Sequence, residues 1–427
     1  MNVPRLSAVV ILWRQQPQLQ TFWMRRAAQM AFQGGFHAFP GGQLHDGEDV
    51  RAGAVRELEE ETGVRVDPAG LIEVGRWVTP PFLPRRFHTQ FFLARSPSDQ
   101  NPRVANVEHD FGEWIEPQAA IRKWRDGEIL MAPPVKYALE RLAEGLDNME
   151  ERMKAVPEAH GAAATEVELR AGIALVPLKA PTLPPATHTN CYIIGQDELI
   201  VIDPASPDAE EQTKLDGILE RRRAPVREIW LTHLHRDHVS GANHLRERFH
   251  VPIAAHPITA RDLRDFVKVD REFGPGETVD LSGDPGWTLR VLHTPGHARG
   301  HVCIFEERHR SLITADLMAG FGTILIDPPE GHMATYLDSL ERMKRLGATA
   351  LFPSHGPVMT NPKERIQEYI DHRLAREKQI LDAWNAGLRD TASIVARVYT
   401  DVPATMHRIA ERSAAAHLEK LREENRI

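Results

Sequence analysis

The chain holds 427 residues with a formal net charge of −8, and two of them are cysteines, Cys191 and Cys303. That length exceeds one ordinary domain, while so few cysteines exclude a disulfide framework and suit a reducing cytoplasm. The acidic balance argues against general attraction to nucleic acid or anionic lipid, and no apolar run approaches membrane-spanning length.

Residues 6–13 and 19–25 read as the two strands of a hairpin. The first carries Ala8-Val9-Val10-Ile11-Leu12, too short for the apolar core of a signal peptide. A loop rich in breakers, 34–42, follows. Residues 50–62 are good helix formers, and Gly63 stands where a C-cap would be. On that helix Glu57, Glu60 and Glu61 are spaced i, i+3, i+4 and share one face. Carboxylates crowded this way repel one another unless a hard cation sits among them, and oxygen ligands favour magnesium or manganese. An ordinary solvated acidic helix is the competing reading of the cluster taken alone.

The wider stretch narrows that choice. Gly42, Glu48, Arg56-Glu57-Leu58, Glu60-Glu61 and Gly63-Val64 fill every fixed position of the Nudix box, and the segment resembles that family. The resemblance implies an α/β/α sandwich that hydrolyses a nucleoside diphosphate linked to another group. It makes Glu57, Glu60 and Glu61 both metal ligands and catalytic residues. Arg56 is expected to orient a glutamate rather than touch metal. Residues 77–94, with Phe82, Pro84, Arg85 and Arg86 ahead of a strand, look like a segment of Nudix proteins associated with coenzyme A diphosphate cleavage. A surface turn with two arginines reads those residues equally well. A domain that binds its nucleotide without consuming it, a sensor, is the non-enzymatic alternative. A helix over 134–155 is expected to close this domain, residues 1–155.

Residues 156–171 contain Pro157, Gly161 and an alanine run without apolar periodicity, and read as a linker. In the domain expected over 172–361, Leu199-Ile200-Val201-Ile202 form a strand ending at Asp203. A helix over 208–223 closes on Arg221-Arg222-Arg223, which complement its C-terminus. The next apolar strand, 228–232, runs into His233-Leu234-His235-Arg236-Asp237-His238. A period of two sends His233 and His235 the same way, and Asp237 and His238 follow in the turn. Such a layout suits two ions, one held by nitrogen and one by mixed nitrogen and oxygen. A histidine-rich surface loop is the bland alternative. Further on, His297, Asp316 and His355 each follow a short apolar run and meet a turn signal.

The pattern H-x-H-x-D-H resembles the metallo-β-lactamase superfamily of metal hydrolases, whose other ligands lie downstream at strand ends. The resemblance implies an αββα sandwich with two zinc ions, iron or manganese being alternatives. His233, His235 and His297 would hold the first ion. Asp237, His238 and His355 would hold the second, Asp316 would bridge them, and Asp237 also counts as catalytic. Asp203 would brace the metal loop, in competition with a role as helix N-cap. A bridging carboxylate accompanies thioester and phosphodiester hydrolases of the superfamily rather than true β-lactamases. Arg299 and His301 are expected to line the pocket, and Gly320-Phe321-Gly322-Thr323 to shape its entrance.

The tail, 362–427, reads as a long helix over 362–385 and short helices over 391–400, 403–411 and 413–424. It resembles the winged-helix-like extension of the β-lactamase-like protein 2 group, which includes an endoribonuclease. From residue 361 onward, 12 lysines and arginines face 11 carboxylates, so no broad basic surface is supplied. The favoured substrate of the second domain is therefore a small thioester such as an acyl-coenzyme A. Cleavage of single-stranded RNA and a glyoxalase II-like hydrolysis are the alternatives. Both partners of the chain are then small molecules, with RNA kept open and no membrane. The sequence assigns no oligomeric state.

Overall fold

A computed structural model describes every residue except 1, 2, 31, 32, 82, 84 and 285. Phe82 and Pro84 of the arginine-bearing segment thus lie outside the described residues. The chain divides into two compact units, Met1–Leu175 and Val176–Ile427.

The first unit is built on a mixed eight-stranded sheet. Its long strand Arg5–Gln15 pairs antiparallel with Leu19–Arg26 and parallel with Phe87–Arg95. Alternation along that strand feeds two cores. Ala8, Val10 and Leu12 pack with Ala54 and Leu58 of the helix Val50–Thr62. Ile11 faces the other way, in a cluster with Trp124 and Leu139 from the helices Pro117–Arg125 and Pro133–Ala143. The result is an α/β/α sandwich. The helix expected over 134–155 is broken: Pro133–Ala143 and Met149–Met153 are separate. Gly145 at φ 101° and Asn148 at φ 50° turn the chain between them, a conformation that ends a right-handed helix. Residues 156–171 contain a short turn, Pro157–Ala159, and a strand, Val167–Arg170.

The second unit has two sheets between layers of helix. One runs Arg271–Glu272, Ile253–Ala255, Val226–Leu231, Leu199–Ile202, His188–Gly195 and Ile173–Lys179, the strand within which the division falls. The other runs Thr278–Leu281, Trp287–His293, Val302–Glu306, Ser311–Ala315, Ala350–Pro353 and Met359–Thr360. Helix Ala242–Phe249 packs on the first sheet and Met333–Lys344 on the second, completing an αββα sandwich. The parallel strands Leu199–Ile202 and Val226–Leu231 are buried throughout most of their length, as strands covered on both faces must be. Their C-terminal ends carry Asp203 and the histidine loop.

The tail forms Pro362–Asn385, Thr391–Val398 and His407–Glu423 around a small core of Ile380, Ile394, Val395, Ala414 and Leu418. The segments expected as separate helices over 403–411 and 413–424 are one continuous helix after a single turn, Ala404–Met406. Nothing between 411 and 413 breaks it, and Ala414, Ala415 and Ala416 favour its continuation. Among the described residues, no helix is long and apolar enough to cross a membrane.

Candidate metal centres

Strand Val226–Leu231 delivers Thr232 and His233 into the interior, and His235 becomes the N-cap of the single-turn helix Arg236–Val239. That turn lifts Asp237 and His238 toward a second point. His235 Nδ1 lies 3.0 Å from Nε2 of both His233 and His297. His355 Nε2 lies 3.5 Å from Asp237 Oδ2 and 3.4 Å from Asp316 Oδ1. Asp316 stands between the groups, its other oxygen 3.6 Å from His297 Nε2 and Oδ1 3.6 Å from His238 Nε2. All seven residues are thus brought together. The triplets His233/His235/His297 and Asp237/His238/His355 each gather their ligand atoms within 4.8 Å.

Backbone geometry aims the later residues. Ala315 takes φ 44°, a strained value for a residue with a side chain, and turns the chain out of strand Ser311–Ala315 at Asp316. Gly296 takes φ 135°, and a Cβ there would stand 2.5 Å from the Tyr336 backbone nitrogen. Only glycine fits beside that helix, which fixes where His297 begins.

Outer partners orient the rings. Asp203 accepts from the Thr232 backbone N–H at 2.9 Å and the Thr232 hydroxyl at 2.6 Å, and faces His238 Nδ1 at 2.8 Å. The neighbouring helix is capped by Asp208 instead, so Asp203 braces and does not cap. His297 Nδ1 meets the Leu325 carbonyl at 2.8 Å, and His355 Nδ1 the His188 carbonyl at 3.0 Å. A ring that donates from Nδ1 turns its Nε2 lone pair inward.

The charge pattern fits divalent cations. Burial presses His233 and His297 well below the usual histidine pKa, so they are neutral, as ligands must be. At His238 burial opposes charge, but the carboxylates of Asp316, Asp203 and Asp237 outweigh it and raise the pKa. Burial likewise opposes ionisation of Asp316, yet His355 and His238 hold it well below the usual carboxylate range. His238 Nε2 and Asp316 Oδ1 are buried without a hydrogen-bond partner. Orphaned buried atoms are costly, and a cation among these nitrogens and oxygens would satisfy both.

The first unit is arranged differently. Asp49 caps the helix Val50–Thr62 through the Arg51 and Ala52 N–H groups, and Gly63 at φ 75° closes it. Arg56 donates to Glu48 at 2.8 and 2.9 Å, to Glu57 at 2.9 Å and to Glu60 at 3.0 Å. It thereby orients three glutamates. That contact holds Glu48 down to about 2. Glu61 is turned inward, accepting from the Gly41 N–H at 2.8 Å, and burial pushes it up to about 8. Among the described residues, the triplets gathered within 4.8 Å all lie in the second unit, so Glu57, Glu60 and Glu61 are not drawn together as tightly.

Of the expected pocket residues, His301 is fully buried, its ring 5.3 Å from that of His233. Arg299 is exposed and pairs with Asp262 at 3.6 Å. Gly320 donates its N–H to the His355 carbonyl at 2.7 Å, so the glycine-rich loop supports a candidate ligand. Glu330, 3.4 Å from His235 Nε2, gave no sign in the sequence, being one acid among many. Arg86 donates to the Thr79 carbonyl at 3.1 Å.

The folds are those of a hydrolase built from two domains of different families. Residues 3–133 match the NUDIX domain, 184–355 the Metallo-beta-lactamase superfamily, and 391–427 the Beta-lactamase associated winged helix domain. The chain joins a Nudix hydrolase domain to a metallo-β-lactamase-superfamily domain with its associated winged helix. It is 29% identical over 240 residues to the Beta-lactamase-like protein 2 homolog of Caenorhabditis elegans, covering 55% of this chain and 78% of that one. It is also 29% identical over 196 residues to the Atrochrysone carboxyl ACP thioesterase of Aspergillus fumigatus, covering 45% of this chain and 58% of the relative. A Beta-lactamase domain protein from Burkholderia ambifaria shares the fold, with TM-score 0.54 and 22% identity over 63% of this chain and 91% of its own. Both hydrolase families imply divalent metal cofactors and small-molecule substrates.

Proposed function

We propose that the second unit hydrolyses a small thioester such as an acyl-coenzyme A, and that the first cleaves a nucleoside diphosphate conjugate. The observation that carries the first half is Asp316, set within 3.6 Å of ring nitrogens from both triplets. His233, His235 and His297 would hold one ion, and Asp237, His238 and His355 the other, with Asp316 shared. Zinc is favoured, iron or manganese being alternatives. Bound there, two such ions would lower the pKa of a water and polarise a scissile carbonyl. Asp237 would help to hold that water through its carboxylate.

In the first unit Glu57, Glu60 and Glu61 would hold magnesium or manganese against the pyrophosphate, with Arg56 yielding part of its hold as the cation enters. The work divides between residues 1–155 and 172–361, with 156–171 between them and 362–427 as an extension. A reducing compartment such as the cytoplasm suits the free, buried Cys191 and Cys303.

The thioester reading is supported by the ACP thioesterase relative and by the balanced charge of the tail. The tail's resemblance to the β-lactamase-like protein 2 group, which includes an endoribonuclease, supports a second reading, cleavage of single-stranded RNA. The test is a panel of acyl-coenzyme A thioesters, glutathione thioesters, single-stranded RNA and nucleoside diphosphate conjugates. It is run on wild type, His297→Ala and Glu60→Gln. Thioester turnover lost only in His297→Ala, with RNA intact throughout, supports the proposal. RNA cutting lost in His297→Ala, with every thioester untouched, overturns it.

A further inference from the structure

Residues 317–327 leave Asp316 without helix or strand of their own, yet they reach two more of the seven converging residues, one at its ring and one at its backbone. Gly320 N–H holds the His355 carbonyl at 2.7 Å, and the Leu325 carbonyl holds His297 Nδ1 at 2.8 Å. What fixes this loop comes largely from the tail. The Tyr369 hydroxyl accepts from Ala319 N–H at 2.9 Å and faces the carbonyls of Ala319 and Gly322 at 2.9 and 3.1 Å. Arg373 donates to the Ile324 carbonyl, one residue from Leu325. Arg412 pairs with Asp327 at the loop's end. The side chains of Ile324 and Ile326 pack in one cluster with Ile366 and Ile370 of the same long helix.

Arg373 is the telling residue. It is 4% exposed, with its guanidinium carbon 5.5 Å from the Tyr336 ring centroid. Simple adhesion between helix and loop would be met by apolar side chains, which cost less to bury than a guanidinium. A buried cation aimed at one backbone carbonyl instead fixes that peptide's position and direction. The next carbonyl along sets the His297 ring.

We infer that Arg373 and Tyr369 are positioning residues for the metal centre: through residues 317–327, the tail sets the orientation of His297 and His355. This rests on the reading that the centre binds two ions. Arg373 acts mainly on His297, and Tyr369, through Ala319 beside Gly320, mainly on His355.

The experiment titrates cobalt(II) into the full, metal-stripped chain, following visible absorption and competition with a chelator. Wild type, Arg373→Met, Arg373→Lys and Tyr369→Phe are compared, with thermal melting as the check on folding. Arg373→Met is expected to weaken one ion about tenfold and to shift its absorption band, with Arg373→Lys recovering part of both. Tyr369→Phe, which removes only a hydroxyl, is expected to weaken the other ion. Wild-type affinity and spectrum in a folded Arg373→Met protein would overturn the inference. So would equal weakening of both ions with a lowered melting temperature, which would mark general loosening. If Arg373→Met does not fold, Tyr369→Phe decides: a selective change supports the inference and none overturns it. Wild-type protein that takes up no cobalt would instead overturn the reading of the centre itself, a failure visible before any variant is compared.

Discussion

In the second unit the ligand atoms of both triplets already lie within 4.8 Å, whereas in the first Arg56 stands among the acids that would meet a cation. The contrast follows from the chemistry of the side chains. Burial holds His233 and His297 in the neutral form, which carries no net charge, so those rings can converge at moderate cost. Carboxylates cannot gather without a counter-charge. Arg56 supplies it for Glu48, Glu57 and Glu60, while Glu61 avoids the problem by being pushed toward its neutral form. A nitrogen centre can therefore be preformed, and an oxygen centre completes itself only with its cation.

The largest effect should break the preformed side. Asp316→Ala removes the one carboxylate shared between triplets. We expect it to lose at least one of roughly two bound ions and about a thousandfold in kcat/KM, or about 4 kcal/mol of transition-state stabilisation. Elemental analysis and steady-state kinetics check both. Full activity in an ion-free protein would remove the distinction altogether.

On the other side, Glu60→Gln should lower magnesium-dependent diphosphate cleavage about a hundredfold. It should leave the second unit's turnover at the wild-type value. Assays of both activities on the one variant make the check. Loss of diphosphate cleavage in folded His235→Ala would show that the two centres are not independent.

A smaller effect sharpens the electrostatic half of the comparison. Burial raises Glu61 in the folded protein to about 8 from an ordinary 4.5. Between those values the native state binds more protons than the unfolded chain, so stability falls as pH rises. Its contribution is whole below the unfolded pKa and is lost as pH climbs through the folded one. In magnesium-free protein the first unit's melting temperature should decline between about pH 5 and 8. Glu61→Gln should flatten that slope, and magnesium should offset it. A pH-independent melt in wild type would show that Glu61 is already ionised.

The same contrast explains what the sequence made legible. The histidine loop could be read because its spacing is local: a strand end and one turn set His233, His235, Asp237 and His238. The Nudix helix, Asp49 to Gly63, carries its own cap signals. The Leu325 and His188 carbonyls that orient His297 and His355 could not be read, since every residue offers a carbonyl and only the fold selects one. Asp203 had two open roles until Asp208 took the cap. The break at Gly145 was missed because the apolar pattern continues across it in Met149 and Met153. The long helix His407–Glu423 was divided because local propensity alone does not show that Ala414 and Leu418 share one core.

The smallest expected effect concerns salt, and it bears on which substrate the preformed centre meets. The tail beside it carries 12 basic and 11 acidic residues from position 361 onward, and its Arg373, Arg376, Lys420 and Arg426 are engaged with protein partners. A single strand of RNA held through about six phosphates would release counterions, and its cleavage would fall on the order of a hundredfold between about 50 and 200 mM salt. An acyl-coenzyme A carries few phosphates, and its reacting carbonyl is neutral. Its kcat/KM should change by no more than about threefold over the same range, since few ions are released. Measuring both slopes on wild-type protein separates the readings without any mutation. A steep slope for thioester turnover would mean that binding runs through a basic surface which the balanced tail does not supply, and the argument from charge would fail with it.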